Sequence, residues 1–265
     1  MKIKGLRQIN PHKFSPRNSS QSPDRSRAGF SLLECLINLS LSLLILVSAL
    51  EVSVQARRVF LKLREQQEKS LAAAVALEKI REDLETAGAG IPGPLPDSYL
   101  APVQIENQKL TVFSAQEKTA LLADAAAGQD SLLVETKSGL SGLLKKGRAV
   151  YLANGASGRL IYITAVSENR LTFSPPLDIA FEASGTEVII LEKVEHYLDS
   201  RQRTLRRRVN GTTGQPLAED VTGFTAFYQK TGNLVTISLT TESGDKNHEC
   251  ELVMYPKNLG RSGQR

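Results

Sequence analysis

The run Phe30–Leu50 reads FSLLECLINLSLSLLILVSAL, and Glu34 is its one charged side chain. As an α-helix the run spans about 31 Å at roughly 1.5 Å per residue, which matches the hydrocarbon thickness of a bilayer. We therefore predict that residues 30–50 form a transmembrane helix, and that the rest of the chain is arranged around it.

A basic segment precedes this run. Residues 1–29 carry seven Lys and Arg side chains against Asp24 alone, a net charge of +6, whereas the whole chain carries +5. Since basic flanks favour the cytoplasmic side of a membrane, we predict a cytoplasmic N-terminus and a head beyond Leu50 on the other side. The remainder of the chain is close to neutral, so its charge does not indicate a nucleic-acid partner.

Three interpretations of the apolar run were compared. A secretory signal has a shorter apolar region followed by a small-x-small cleavage site, whereas here the sequence continues as Glu51-Val-Ser-Val-Gln-Ala-Arg-Arg. A plain membrane anchor fits the length but gives no reason for Glu34, because a charge deep in a bilayer costs a few kcal/mol. The third interpretation is a processed membrane helix in which this carboxylate has a partner.

The stretch Arg27–Cys35, RAGFSLLEC, resembles the processing signal of type IV prepilins and of the pseudopilins of type II secretion. The resemblance implies that a prepilin peptidase cuts after Gly29 and that Phe30 becomes the N-methylated N-terminus. It also implies that Glu34 is the intramembrane glutamate used in assembly. The partners implied are other major and minor pilins, the prepilin peptidase and an inner-membrane assembly platform.

Cleavage after Gly29 would create a positive amine at the membrane edge. In a filament of side-by-side helices, that amine can neutralise Glu34 of a neighbouring subunit, and the low dielectric makes the pairing strong. A subunit without a neighbour would carry an unsatisfied charge, which favours assembly.

The apolar run is predicted to continue as a second helical half over residues 51–86. This segment lacks Pro and Gly and is rich in strong helix formers. Its apolar residues recur at steps of three and four, which predicts one buried stripe formed by Ala74, Leu77, Ile80 and Leu84. No proline occurs from Phe30 to Ile91, so a continuous helix is expected, and this absence favours a minor subunit over a major one.

The rest of the chain is predicted to be a β-rich head. Residues 87–117 would form a Gly/Pro loop and the first strands, 118–190 a small all-β insert, 191–258 the C-terminal sheet, and 259–265 a flexible tail. The fold class is thus α+β, with a long N-terminal transmembrane helix packed on an antiparallel sheet. Ten short β-branched segments are predicted as strands, namely 109–114, 131–135, 149–153, 159–166, 170–174, 186–198, 204–209, 221–228, 234–241 and 249–255.

The C-terminal sheet also resembles that of PilW-type minor pilins and J-type minor pseudopilins. The residues that carry this resemblance are Val194–Asp199, Leu205–Val209, Pro216–Phe224 and Phe227-Tyr228.

Two polar groups in the head suggest binding sites, and each has a simpler explanation. A basic cluster between 201 and 208 could bind the phosphates of DNA or lipid, although a solvated hairpin face is the preferred interpretation; it comprises Arg201, Arg203, Arg206, Arg207 and Arg208. Asp245, Asn247 and Glu249 have the spacing of oxygen ligands for calcium, but they lack the usual calcium-loop pattern, and a polar turn is expected there.

The histidines and cysteines are interpreted as structural. His196 and His248 are expected to be ordinary strand residues. Cys35 is placed in the membrane and Cys250 in the external head, so no disulfide between them is expected.

The function predicted from the sequence is that of a minor pilin, a structural subunit that primes or caps type IV pilus assembly. The alternatives are a minor pseudopilin of a type II secretion system and a filament-displayed adhesin or DNA-binding module. The chain would be a single-pass inner-membrane protein with a periplasmic head before it enters a filament. The sequence lacks GxSxG, Walker and HExxH motifs, so neither enzymatic activity nor a cofactor or metal is expected.

Overall fold

The computed structural model of the chain describes residues 31–93, 100–136, 139–229, 231–243 and 246–258. The chain divides into two compact units, residues 1–57 and 58–265. Helix α1 covers Leu32–Glu85. The strands are β1 Val103–Glu106, β2 Lys109–Ala120, β3 Ser131–Leu133, β4 Ala149–Asn154, β5 Gly158–Ser167, β6 Arg170–Ser174, β7 Thr186–Asp199, β8 Thr204–Val209, β9 Gln215–Ala218, β10 Val221–Gln229, β11 Leu234–Ser243 and β12 Lys246–Met254.

The predicted continuous helix is confirmed over its described part. α1 is 54 residues long and ends at Glu85, one residue before the predicted end. It is long and apolar enough to cross a membrane, which leaves the prediction of a membrane span for residues 30–50 open to a direct test. A long N-terminal helix with a large antiparallel sheet is the α+β arrangement predicted.

The buried stripe of α1 differs from the prediction at one position. Leu77, Ile80 and Leu84 are buried as expected, but Ala74 is exposed. Ala73 takes its place because it lies seven residues before Ile80, which puts both on one line of the helix. The full buried face consists of Ala73, Ala76, Leu77, Ile80, Asp83 and Leu84. It packs against Val194, Leu205, Phe224 and residues of β11.

Gly88, three residues after the end of α1, packs closely against other residues of the head. Gly88 has a φ of +76°, and its N–H donates to the Phe113 carbonyl at 2.8 Å. A Cβ at this position would lie 2.6 Å from the carbonyl oxygen of Asn258. Glycine is therefore required here both for the left-handed turn and for the close approach.

The head contains a nine-stranded antiparallel sheet organised around β7. Its main path runs β1-β2-β7-β4-β5-β6-β3, and β8 with β9 forms a branch from β7. β2 accompanies β7 along one edge from Lys109 to Ala120. On the other edge, β4 pairs with Thr186–Ile190 and β8 with Val194–Asp199.

Residues 118–190, predicted as an insert, share this sheet with the rest of the head through β2 and β7. They nevertheless have a hydrophobic core of their own, whose buried residues run from Leu121 to Ile190. The core that receives α1 begins on the other half of β7, at Val194. The same sheet also carries a third, smaller cluster that includes Phe113, Tyr151 and Ile189. The description of 118–190 as an insert stays a prediction.

The last three strands form a second sheet in the order β10-β11-β12. The turn between β10 and β11 includes Thr231, Gly232 and Asn233 in its described part. Asn233 fixes this turn, since its side-chain amide donates to the Pro256 carbonyl and its Oδ1 accepts from the Tyr228 hydroxyl. Residues 191–258, grouped as one sheet from the sequence, therefore contribute to two sheets.

All ten predicted strands are present. β1 and β9 were not predicted individually, because four residues give too short a period-two pattern. β12 begins at Lys246 rather than 249, and the predicted tail 259–265 lies outside the described residues.

We predict that Ile80→Ala lowers the free energy of unfolding of the head by about 2–5 kcal/mol, because Ile80 is fully buried and its loss leaves a cavity. Leu71→Ala on the same helix is the control, since Leu71 is 66% exposed and should change stability by about 0.5 kcal/mol or less. Urea unfolding of the full chain in detergent, followed by circular dichroism, measures both. Equal effects of the two substitutions would contradict the packing described.

Candidate functional site

The first unit presents an apolar helical surface with no protein cover. Every described residue from Ser31 to Arg57 is exposed, and the most apolar 18-residue window has a mean hydropathy of 2.2 with none of it buried. Leu32 and Leu44 are 83% and 65% exposed. Such a continuous apolar surface is unfavourable in water and requires lipid or other helices around it.

The polar side chains of this surface are partly satisfied within the helix. The hydroxyl groups of Ser40, Ser42 and Ser48 donate to carbonyl oxygens three or four residues earlier, at 2.7–2.9 Å. These bonds remove the need for water at three serines of the run, which lowers the cost of placing them in an apolar medium.

Glu34 lies in the first turn of α1 and is exposed. The Leu33 N–H donates to Ser31 Oγ at 3.3 Å, so Ser31 caps the helix and Glu34 stands three residues after the cap. A carboxylate there interacts favourably with the positive end of the helix dipole. The spacing Ser31-x-x-Glu34 is a capping-box pattern, a local role that the sequence interpretation did not consider. The predicted processing residues Gly29 and Phe30 lie outside the described residues.

A second polar site fixes α1 to the sheet within the larger unit. Asp83 is buried on the helix and accepts two hydrogen bonds from Arg207 of β8, from Nε at 2.7 Å and from Nη2 at 2.8 Å. Nε2 of His196, a fully buried residue of β7, lies 2.9 Å from Asp83 Oδ2. We call these three residues the Asp83 cluster.

The charges of the Asp83 cluster stabilise one another. The hydrogen bonds from Arg207 and His196 outweigh burial, which by itself would raise the pKa of Asp83, and lower that pKa from 3.8 to about 2. The same carboxylate raises the pKa of Arg207. Sequence reasoning did not identify Asp83; the signal was its position three residues after Ile80, on the buried line of the helix.

The arginine cluster is not the solvated face that was predicted. Arg206, Arg207 and Arg208 are half-buried, and each lies close to a carboxylate: Asp199, Asp83 and Glu195 respectively. This part of the prediction is wrong because the register of β8 with β7 places Arg208 opposite Glu195, and because α1 brings Asp83 to Arg207. Arg201 and Arg203 are exposed as expected, and Arg203 pairs with Glu242.

The predicted polar turn at 245–249 is also wrong in its described part. Asn247 and Glu249 are residues of strand β12, and Glu249 Oε1 accepts from Ser238 Oγ at 2.5 Å; Asp245 lies outside the described residues. Across the described ranges, no group of three or more His, Cys, Asp or Glu side chains is placed to hold a metal ion.

Both predicted histidine positions are confirmed as strand residues, His196 in β7 and His248 in β12. His196 is more than a packing residue because it contacts Asp83. Cys35 and Cys250 are both free thiols.

No protein-family model and no curated protein matches this chain. Among solved structures it is similar to the Gp54 tailspike of Acinetobacter baumannii bacteriophage AP22, in complex with A. baumannii capsular saccharide. The likeness covers 31% of this chain and 15% of the tailspike chain, at 16% identity and a TM-score of 0.25. At that TM-score the likeness carries no argument about fold or function.

We predict that stability falls in acid as Asp83 becomes protonated. Its folded pKa lies below its ordinary value of 3.8, so its contribution is complete above about pH 4 and is lost as the pH falls through 2. In Asp83→Asn, the free energy of unfolding should fall by about 2 kcal/mol less in acid than it does in the wild-type protein. Because the substitution leaves Arg207 unpaired, it should also destabilise the protein at neutral pH by about 3–5 kcal/mol.

Glu82→Gln is the matched control. The carboxylate of Glu82 is next to Asp83 in the sequence, but it is 56% exposed and pairs with Lys79 at the surface. Urea unfolding at a series of pH values measures both variants. An equal loss of unfolding free energy between about pH 4 and about pH 2 in wild-type and Asp83→Asn protein would contradict the role given to the Asp83 cluster.

Proposed function

We propose that this chain is a structural subunit of a type IV pilin-like filament, made as an inner-membrane precursor and processed by a prepilin peptidase. One observation carries the proposal. Residues 32–50 of α1 are apolar, uncovered and contain one carboxylate, Glu34, near the start, and the same helix continues into a half that packs on a β-rich head.

The apolar surface of residues 32–50 has no cover within its own unit. Burial of an exposed Leu or Ile side chain stabilises by up to roughly 1.5–3 kcal/mol, and more than ten exposed Leu and Ile residues lie between Leu32 and Leu50. A bilayer meets this requirement before assembly, and a bundle of sister helices meets it afterwards. A soluble, monomeric protein would leave the requirement unmet.

The Glu34 carboxylate would set the axial offset between neighbouring subunits. Cleavage after Gly29 would leave a free amine on Phe30, four residues before Glu34. An axial step between two subunits brings the amine of one beside the Glu34 of the other. Each added subunit then removes an unpaired charge from the apolar medium, which favours growth by single steps.

The topology follows from the charges of the first 29 residues. The net charge of +6 favours the cytoplasm for these residues, and on this proposal residues 58–265 lie in the periplasm of a Gram-negative cell. The head is large for a repeating unit of a fibre, and this favours a minor pilin that primes or caps assembly.

The alternative of a filament-displayed DNA-binding module loses its sequence support. Arg206, Arg207 and Arg208 are the core of the basic cluster, and their charges lie close to those of Asp199, Asp83 and Glu195. A phosphate backbone would have to compete with these internal pairs. A structural role for the cluster is therefore preferred.

We predict that Glu34→Gln is cleaved and N-methylated but incorporated into filaments poorly, because glutamine keeps the capping position and removes the charge. Glu34→Asp keeps the charge and should retain more incorporation than Glu34→Gln. Glu51→Gln, at the exposed end of the apolar run, is the control and should assemble normally.

The readout is the amount of subunit in sheared filaments relative to the amount in the membrane. Normal incorporation of Glu34→Gln would contradict the electrostatic account. A loss that is equal in Glu34→Gln and Glu51→Gln would show a general effect of charge on the helix and would likewise contradict it.

Deletion of the gene separates the two filament systems. A type IV minor pilin predicts loss of surface pili with normal release of exoproteins. Normal pili with lost secretion would assign the chain to a type II secretion pseudopilus instead.

A further inference from the structure

A cavity of about 420 Å³ lies in the head between the loop that precedes β4 and the turn that follows β8. One wall carries Lys145, Lys146 and Arg148, and the other is formed by Asn210, Gly211 and Thr212. Three basic residues thus line one cavity, and none of them belongs to the apolar helix or to the Asp83 cluster.

Arg148 is the unusual member of this group. Its Nε and Nη2 atoms are fully buried, yet they have no hydrogen-bond partner among the described residues. Burial lowers the pKa of its guanidinium, and the charge of Glu192 on β7 acts in the opposite direction. Buried donors of a charged group without a partner are costly, and a bound ion is one of the ways in which native proteins satisfy them.

The cavity walls are held by the main chain. Gly147 N–H donates to the Ile163 carbonyl at 2.7 Å, and Ile163 N–H donates to the Arg148 carbonyl at 2.9 Å, which fix the basic loop against β5. On the opposite wall, Asn210 N–H donates to the Lys193 carbonyl at 2.7 Å, and Asn210 Oδ1 accepts from Lys193 N–H at 2.9 Å. The basic groups are therefore carried on preorganised segments, which reduces the entropic cost of binding.

We propose that this cavity binds the phosphate group of a small phosphorylated molecule. A guanidinium edge offers two parallel donors to a phosphate, and the two exposed lysines add point charges at the mouth. Three positive charges against Glu192 leave a net charge of about +2, which matches a phosphate dianion. The cavity is larger than a phosphate, so the organic part of the ligand also has room.

The proposal is tested on the full chain in uncharged detergent, with inorganic phosphate and glycerol 3-phosphate as probes at constant ionic strength. Isothermal titration calorimetry should detect binding of both probes to the wild-type protein. Arg148→Gln and Lys146→Glu should each weaken the affinity about tenfold or more, because each removes a charged contact to the phosphate. Lys62→Glu, an exposed lysine of α1 with the same charge change, should leave the affinity unchanged.

Lys146→Glu keeps the test decisive if Arg148→Gln fails to fold, since the Lys146 side chain is exposed. Absence of binding to the wild-type protein would overturn the proposal. So would an equal loss in Lys62→Glu and Lys146→Glu, which would indicate attraction by net charge alone. Binding to phosphatidylglycerol vesicles without binding to either soluble probe would assign the loop to a membrane surface and also overturn it. None of these outcomes depends on assembly into a filament.

Discussion

The structure depends on one constraint: the apolar surface of residues 32–50 has no cover within its own unit. A helix of this composition is unfavourable in water because it exposes a continuous apolar surface. Its serines already bond to the helix backbone, and its lone carboxylate stands in the first turn. The segment is long and apolar enough to cross a membrane.

The second half of α1 has the opposite requirement, because it must hold the head. Its small residues Ala73 and Ala76 allow close approach, and Ile80 and Leu84 fill the core against β10 and β11. Asp83 adds specificity, since its two oxygens are oriented by Arg207 and His196 from two neighbouring strands. Sliding or rotation of the helix would break these hydrogen bonds and leave buried charges unpaired. The hydrogen bonds therefore fix the position of the helix along the sheet and the face that it turns toward it.

Local patterns carried most of the fold that could be predicted. Helix length, its end before Gly88 and the positions of the ten strands follow from residue type and periodicity, which are local properties. The partners of Arg207 and Arg208 depend on the register of β8 with β7 and on the position of α1 on the sheet. Neither can be derived from the local sequence, so an exposed face was expected. Ala74 was expected to be buried because steps of three and four residues fit Ala73 and Ala74 equally well. The orphan donors of Arg148 depend on the packing of two distant loops, which no single stretch of sequence records.

The most direct measurement is the mass of the N-terminal peptide of the protein purified from cells that contain a working prepilin peptidase. A peptide that begins with N-methylated Phe30 is the result expected of a processed membrane helix whose amine pairs with a neighbouring Glu34. A precursor that retains residues 1–29 in such cells would contradict the account, because the amine that assembly requires would never form.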